Sequence, residues 1–455
     1  MMSFEPILQE LNFRNLTVKN RIFRSNISGR FDNYDGSGNQ ARINWETKFA
    51  AGGVGAIITS FVPVHVKGRI MPGYAMINHD DKIPFWRKTA EAVHAHDAKF
   101  IMQLSHSGRQ RDISGVENQY EKGLSSTNTT EDFHGLPSRA MSIPEIEEVV
   151  QYFAQAARRA KEAGVDGIEL HGANGYLFTQ FLSSAINDRK DKYGGPLENR
   201  ARFALEVVRA IRKEVGPDFH LQFKISAQDY NNALFFWQTK GDGLEESTQV
   251  CKWLVGEGVD GFHVSTGNMF LHPRNPMGPF PTKEAIKWYD TMLSSGSKTM
   301  RNFHIFRNPL LRPIFDFLWA RTQEKGDKIE GATLPDARAI RNAVHSVDKS
   351  IPVICTGGFQ TGSRIAKAIT DGDCDAVSIA RPLVANNDMV RYFERGEEIP
   401  KKLRCTYCNK CLVNVLENPL GCYELSRFDN NYDKMMDQVM SVFKPMPFGV
   451  VKSEK

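Results

Sequence analysis

The sequence predicts an α/β protein built as a (β/α)₈ TIM barrel, with a long insertion after the sixth strand and a cysteine-containing C-terminal extension. Two observations predict this fold. Eight short apolar or β-branched runs alternate with helix-like stretches, which is typical of βαβ units and a parallel sheet. Eight such units fit a closed barrel better than an open sheet, and 455 residues are enough for one barrel with insertions.

The alternating runs give the candidate elements in chain order. The candidate strands are Arg21–Asn26, Ala56–Ser60, Phe100–Leu104, Gly167–His171, His220–Ile225, Gly261–Ser265, Val353–Thr356 and Ala376–Ile379. The candidate helices are Ala41–Ala51, Lys82–His96, Ile143–Glu162, Leu197–Glu214, Leu244–Gly256, Leu334–Val347, Ser363–Thr370 and Asn387–Phe393. Ser142, which is followed by Pro144 and Glu145, is the expected N-cap of the third helix.

The domain organisation follows from the unusually long spacing between the sixth candidate strand and the helix that comes after it. The barrel is predicted over residues 1–400 and the extension over 401–455. The insertion, residues 266–333, is too long for a plain loop and reads as one or two helices around Glu284–Leu293 and Leu311–Arg321. Because it follows a strand, it lies on the face where barrel active sites occur. A lid or pocket wall and a packing ornament are both open interpretations.

Composition and charge restrict the function classes. The chain is 41% hydrophobic and 24% charged, with a formal net charge of +5 and no long Lys/Arg run, so nucleic-acid binding is not expected. No apolar run suggests a signal peptide or a membrane span, which makes the cytoplasm the expected compartment. A homo-oligomer is compatible with the sequence, which leaves the oligomeric state open. No Gly-x-Gly-x-x-Gly follows a strand, so a Rossmann domain is not supported.

The stretch that follows the fourth candidate strand carries the strongest chemical signal. His171, Asn174 and Tyr176 lie at the carboxyl end of that strand. His171 and Asn174 can donate hydrogen bonds to one oxygen and hold developing negative charge, and Tyr176 can give up a proton. The alternative is that His171 and Asn174 only cap the turn into the next helix.

This stretch resembles the signature of the old yellow enzyme family. The matching residues are His171-x-x-Asn174-x-Tyr176, then Gln180-Phe-Leu, then Asn187-Asp-Arg189-x-Asp191-x-Tyr193-Gly194-Gly195. The resemblance implies an FMN-binding barrel that uses NADH or NADPH as a transient co-substrate. It also implies that His171 and Asn174 bind the carbonyl or other activating group of the substrate and that Tyr176 protonates the substrate carbon.

The resemblance further implies a set of cofactor-binding residues. Those expected around the flavin ring are Asn26, Ser28, Ser60, Gln103 and Lys224. Asn26 and Ile27 replace the usual Pro-Met pair, and Lys224 replaces an arginine, which keeps the charge but not the bidentate fork. Those expected around the phosphate, in the loops after strands seven and eight, are Gly357, Gly358, Ala380 and Arg381. For Gln103 and Lys224 the alternative is polar filling of the barrel interior.

Four of the seven cysteines are clustered in the extension. Cys405, Cys408, Cys411 and Cys422 resemble the iron–sulfur run of one branch of this family, with shorter gaps. Four thiolates can hold a [4Fe–4S] cluster or a Zn²⁺ ion, and a cluster without metal is the third interpretation.

The function expected from the resemblance is reduction of an activated C=C bond with NAD(P)H, in a small-molecule substrate that carries an alkene or carbonyl group. Two alternatives stay open. One is an iron–sulfur-linked amine or steroid-type dehydrogenase or demethylase. The other is a non-redox, phosphate-binding barrel of the aldolase or isomerase type.

Overall fold

In the computed structural model, eight parallel strands close into a barrel. The strands are β1 (Ile22–Arg24), β2 (Ala56–Ile58), β3 (Lys99–Ser105), β4 (Gly167–Gly172), β5 (His220–Ser226), β6 (Gly261–Ser265), β7 (Val353–Thr356) and β8 (Ala376–Ile379). Each strand pairs in parallel with the next, and β8 pairs with β1, so the sheet closes as predicted. The structure describes residues 4–27, 29–111, 122–131, 134–230, 241–324 and 326–444.

Helices follow the strands on the outside of the barrel. The seven main ones are α1 (Gln40–Ala51), α2 (Ile83–His94), α3 (Ile143–Glu162), α4 (Leu197–Val215), α5 (Leu244–Gly256), α6 (Leu334–His345) and α7 (Gly362–Thr370). Two short helices, Arg381–Ala385 and Met389–Glu394, follow β8. The predicted cap of α3 is present: the Ser142 side chain accepts from the Glu145 amide, and the Glu145 side chain accepts from the Ser142 amide.

The remaining elements are short. The short strands are Leu11–Asn12, Thr17–Val18, Val62–Pro63, Gly123–Ser125 and Ser138–Ala140, and the short α-helices are Glu5–Leu8, Leu177–Leu182, Lys410–Asn414 and Tyr432–Met440. The 3₁₀ turns are Val66–Gly68, Asp80–Lys82, Gly326–Ile329, Lys401–Leu403, Leu425–Phe428 and Ser441–Phe443. Within the described ranges, no helix is both long enough and apolar enough to cross a bilayer.

Helix α1 is buried on almost every side. Residues 41–50 are all buried, because the last described residues of the chain cover the surface that neither the barrel nor α2 reaches. The Asn44 side chain donates to the carbonyls of Val442 and Lys444, at 2.9 and 2.8 Å. The Phe31 and Phe443 rings meet beside it, with centroids 5.9 Å apart.

The insertion is more helical than the sequence predicted. It contains the helices Thr282–Ala285, Tyr289–Ser294, Ser297–Arg307 and Leu311–Ala320. The predicted helix 284–293 is broken near Ile286, and Ser297–Arg307 was not predicted. A separate apolar cluster that includes Phe280, Phe303, Phe306 and Trp319 holds these helices together.

Candidate active site

A cavity of about 320 Å³ lies at the carboxyl ends of the barrel strands. Its walls come from the ends of β1, β4, β5, β6, β7 and β8, together with the insertion and the C-terminal extension. This volume lies at the lower end of the range of small-molecule and cofactor pockets. Of the predicted site residues, those that line it are Asn26, His171, Asn174, Tyr176, Lys224, Gly357, Gly358, Ala380, Arg381 and Cys411.

His171 and Lys224 are brought together by strand register. They are direct partners in the parallel pairing of β4 with β5, so both side chains point to the same face. Burial, and then the charges of Lys224 and His263, hold the pKa of His171 well below its ordinary value. The His171 ring is therefore neutral at pH 7, and its Nδ1 is buried with no hydrogen-bond partner among the described residues.

Lys224 is the buried cation of the cavity. Burial lowers its pKa to about 8, although the Glu169 carboxylate acts in the opposite direction. Its Nζ donates to Asn26 Oδ1 at 2.5 Å. Asn26 thus fixes the position of this charge.

Asn174 occupies a tight turn between β4 and the helix Leu177–Leu182. Its φ of 62° lies in the left-handed region, which asparagine tolerates better than most residues. Its Nδ2 donates to Ser265 Oγ at 3.0 Å and to the Thr266 carbonyl at 3.1 Å. The predicted convergence of the His171 and Asn174 donors on one oxygen is therefore not observed, because both amide hydrogens of Asn174 already have acceptors in the loop after β6.

Tyr176 faces the cavity from the start of the helix Leu177–Leu182. Its ring contacts those of Phe61 and His171, with centroids 5.2 and 4.7 Å away. Burial, and then the nearby Tyr74, raise the pKa of Tyr176 well above its ordinary value, while a hydrogen bond with Gln110 acts in the opposite direction. The phenol is therefore kept protonated at neutral pH, as a proton donor must be.

A layer of buried polar side chains lies one step below the cavity. Residues two positions apart on a strand share a face, so Glu169 and Gln222 point inward beneath His171 and Lys224. Glu169 accepts from Gln103 Nε2 at 2.7 Å, from Gln222 Nε2 at 2.6 Å and from His263 Nδ1 at 2.8 Å. The other ring nitrogen of His263 is 2.6 Å from Thr356 Oγ1, which lines the cavity.

Two predicted flavin contacts belong to this lower region rather than to the cavity wall. Gln103 and Ser60 are fully buried and are not among the residues that line the cavity. The Oε1 atom of Gln103 and the Oγ atom of Ser60 nevertheless have no hydrogen-bond partner within the described residues. Ser28 lies outside the residues that the structure describes.

The glycine turn after β7 leaves no room for a side chain. Gly358 has a φ of 67°, and a Cβ there would lie 3.1 Å from Ile329 Cγ2. A Cβ at Gly357 would lie 2.9 Å from Thr333 Oγ1. The backbone at this turn can therefore approach a ligand closely, as anion-binding loops require.

Arg381 begins the short helix after β8, on the same side of the cavity as the glycine turn. Its Nη1 donates to the Met277 carbonyl at 2.6 Å and to Asn409 Oδ1. Its guanidinium also lies 5.4 Å from the centroid of the Tyr407 ring. The insertion and the extension thus hold this charge in place. Its second Nη makes no hydrogen bond with any residue in the described ranges, so it can face an anionic ligand.

The four clustered cysteines lie near one another in the extension, and one of them, Cys411, reaches the cavity. Burial raises the pKa of Cys405 to about 11, with smaller contributions from Cys422 and Cys408. Burial also raises the pKa of Cys411, with smaller contributions from the other three cysteines of the cluster. Cys411 lines the cavity, and Cys422 accepts from the Arg427 guanidinium. Within the described residues, however, no three His, Cys, Asp or Glu side chains converge in a way that could hold a metal ion.

Sequence reasoning missed several cavity residues. Phe61, Tyr74 and Gln110 surround Tyr176, and part of the extension, including Leu412, forms another wall. The polar layer could have been found, because Glu169 precedes His171 by two positions on a strand. No sequence pattern indicated that the C-terminal extension would line the cavity.

The barrel and the residues at its mouth define the class of flavin-dependent oxidoreductases, and comparisons with known proteins agree. The model of the NADH:flavin oxidoreductase / NADH oxidase family matches residues 4–279. An NADH oxidase from Thermoanaerobacter brockii is 32% identical over 438 residues, which cover 93% of this chain and 58% of that protein. An NADPH dehydrogenase from Halalkalibacterium halodurans is 35% identical over 289 residues, covering 62% of this chain and 80% of the relative.

The fold itself has solved counterparts. An old yellow enzyme homologue from Zymomonas mobilis superimposes with a TM-score of 0.62 at 20% identity, over 89% of this chain and 99% of that one. The chain belongs to the NADH:flavin oxidoreductase / NADH oxidase family, to which the old yellow enzyme resemblance pointed. It spans only 58% of the length of the Thermoanaerobacter relative.

Proposed function

We propose that this protein reduces activated C=C bonds, with FMN as its bound cofactor and NADH or NADPH as its reductant. One observation carries the proposal: a single cavity joins His171, Tyr176 and Lys224 to the glycine turn and Arg381. A neutral hydrogen-bond donor, a protonated phenol, a buried cation and an anion-binding turn are the groups that such a reaction requires.

The residues present fit FMN. The turn at Gly357 and Gly358, with Arg381, suits the phosphate, because backbone amides and a guanidinium both bind anions. Lys224 suits the electron-rich edge of the ring. In the layer below the cavity, the buried Oε1 of Gln103 is an acceptor with no hydrogen-bond donor among the described residues. When bound, FMN supplies hydride transfer, which none of the side chains can perform.

The side chains supply binding, orientation and a proton. Neutral His171 donates a hydrogen bond to the carbonyl or other activating oxygen of the substrate and stabilises the negative charge that develops there. Tyr176 donates its phenolic proton to the α-carbon. Asn174, whose amide hydrogens are already engaged, holds the turn that aims both groups. Phe61 covers the Tyr176 and His171 rings and keeps water from them.

An absorption spectrum with and without NAD(P)H, together with a Tyr176→Phe variant, tests the proposal. We expect a flavin spectrum that NADH or NADPH bleaches in the absence of oxygen. Tyr176→Phe should slow the reduction of an activated alkene such as cyclohexenone by roughly 10²- to 10⁴-fold and leave the bleaching rate unchanged. Tyr392→Phe, outside the cavity, is the matched control.

Two results would contradict the proposal. A purified protein that cannot retain FMN would remove its basis. Bleaching that Tyr176→Phe abolishes as fully as alkene reduction would show that Tyr176 does not act as the proton donor.

We also propose that residues 1–400 form the catalytic barrel and that insertion 266–333 is a wall of the substrate pocket. Residues 411–420 of the extension 401–455 close the edge of this pocket. Met292 and Thr299 of the insertion line the cavity. Deleting the insertion would also remove the Met277 carbonyl that holds Arg381, so a point substitution is the sharper test. Met292→Ala should change the relative kcat/KM for small and bulky alkenes, whereas an unchanged ratio would favour the packing interpretation.

The four-cysteine spacing stays a prediction of a metal site. Among the residues that the structure describes, the side-chain positions do not form such a site, and no step of the proposed reaction passes through a cluster or a zinc ion. An iron–sulfur-linked amine or steroid-type dehydrogenase would use a cluster as its electron acceptor, and a non-redox barrel would require no flavin. The proposed alkene reduction accounts for the cavity residues without a metal.

A further inference from the structure

The helix Leu311–Ala320 of the insertion has an apolar outer face that nothing within the described residues covers. Leu310, Ile314 and Phe317 are 78%, 56% and 65% exposed. Their spacing of four and then three residues places them on one side of the helix. We call these three side chains the outer apolar face.

The opposite side of the same helix is already packed. Trp319 is buried, and the Phe315 ring lies 4.7 Å from that of Phe306 and 5.9 Å from that of Phe280. Surface helices normally place apolar residues on one side only. The outer apolar face therefore does not serve the packing of this chain, and such patches mark interaction sites.

Charge around the face indicates its partner. Residues 297–321 contain five basic residues and one acidic residue, Asp316. Arg301, Arg307 and Arg321 are exposed, and the Arg321 guanidinium lies over the Phe317 ring. The whole insertion carries ten basic and six acidic residues, which is +4 of the formal net charge of +5.

We propose that the outer apolar face docks this protein peripherally on an anionic phospholipid surface. Exposed aromatic and aliphatic side chains, with one arginine (Arg321) over the Phe317 ring and further exposed arginines on the neighbouring helix Ser297–Arg307, are what an interfacial helix presents to the headgroup region. A second copy of the chain is the poorer occupant, because a twofold interface would bring this basic patch against itself. Peripheral docking needs no membrane-spanning helix, and this proposal does not depend on the proposed reaction.

The proposed docking site lies next to the cavity, because neighbouring helices of the insertion form both. The helices Tyr289–Ser294 and Ser297–Arg307 contribute Met292 and Thr299 to the cavity lining. The helix Ser297–Arg307 also packs against the helix Leu311–Ala320, which carries the outer apolar face. A substrate dissolved in the lipid would thus meet the protein beside the pocket wall, which fits apolar substrates.

Vesicle flotation of the full-length protein tests the proposal. Vesicles of phosphatidylcholine alone are compared with vesicles that also contain phosphatidylserine. We expect binding to the anionic vesicles only, weakened by high salt. Ile314→Ser with Phe317→Ser should weaken it at least about tenfold through lost apolar burial. Arg301→Gln with Arg307→Gln should weaken it about tenfold or more.

Val347→Ser is the matched control, since Val347 is 52% exposed at the far end of α6 and should leave binding unchanged. Circular dichroism checks that every variant is folded. No binding to anionic vesicles would overturn the proposal, as would binding that survives both double variants. A dimer in solution that Ile314→Ser with Phe317→Ser converts to monomer would assign the face to a second copy and also overturn it.

Discussion

Lys224 should make the stability of the FMN-free protein depend on pH in a way that a Lys224→Met variant does not share. Its side chain is 4% exposed, and burial lowers its pKa from its ordinary 10.5 to about 8. Between these two pH values the unfolded chain binds a proton that the folded chain does not. The free energy of unfolding therefore rises with pH across this window.

The size of the effect follows from the shift. One pKa unit corresponds to about 1.4 kcal/mol, so a shift of roughly 2.5 units is worth about 3 kcal/mol over the full window. Between pH 7 and pH 10 most of this difference is realised. The free energy of unfolding of the wild type should thus gain about 2 to 3 kcal/mol relative to Lys224→Met over that interval.

Urea unfolding at several pH values measures the difference directly. Comparing the two proteins at each pH cancels the other titrating groups that they share. Lys88→Met, which removes an exposed lysine of α2, corrects for the loss of a lysine in general. A wild-type-minus-variant difference that stays constant from pH 7 to pH 10 would refute the reasoning, because it would mean that burial does not disfavour the charged form of Lys224.

Two further predictions concern the glycine turn and the cysteines. Gly358→Ala should destabilise the protein by about 1–2 kcal/mol and weaken FMN binding, which a fluorescence titration measures. Gly164→Ala is the control, because Gly164 also has a positive φ, of 78°, but no atom lies within 4 Å of the added Cβ. This control should give similar backbone strain with unchanged FMN affinity. If the cysteine spacing marks a metal site, purified protein should contain iron with sulfide, or zinc, and Cys411→Ser should lower that content; metal-free protein would rule the site out.

The barrel could be predicted from sequence because its strands are marked locally. Short β-branched runs between helix-like stretches gave β6, β7 and β8 with the bounds that the structure has. The first strand is shorter than predicted, since the chain leaves the sheet after Arg24. Helix Ser297–Arg307, which begins directly after the turn at Gly296, was missed between the two predicted helices of the insertion.

The candidate site was predictable in position but not in hydrogen bonding. His171 and Tyr176 could be placed at the mouth from the order of strand and motif alone. The acceptors of the Asn174 amide, Ser265 and Thr266, lie about 90 residues further along the chain. No pattern in the sequence near Asn174 could predict a hydrogen-bond acceptor so far along the chain. Gln103 likewise binds Glu169 on a neighbouring strand, 66 positions away.

The contact between α1 and the end of the described chain has a consequence for how the molecule assembles. The two hydrogen bonds of the Asn44 side chain join residues 398 and 400 positions apart. Contacts this distant in sequence close late, since the entropy of a very long loop must be offset first. The first βα unit therefore reaches its final environment only after residues 441–444 have been synthesised and can pack against α1.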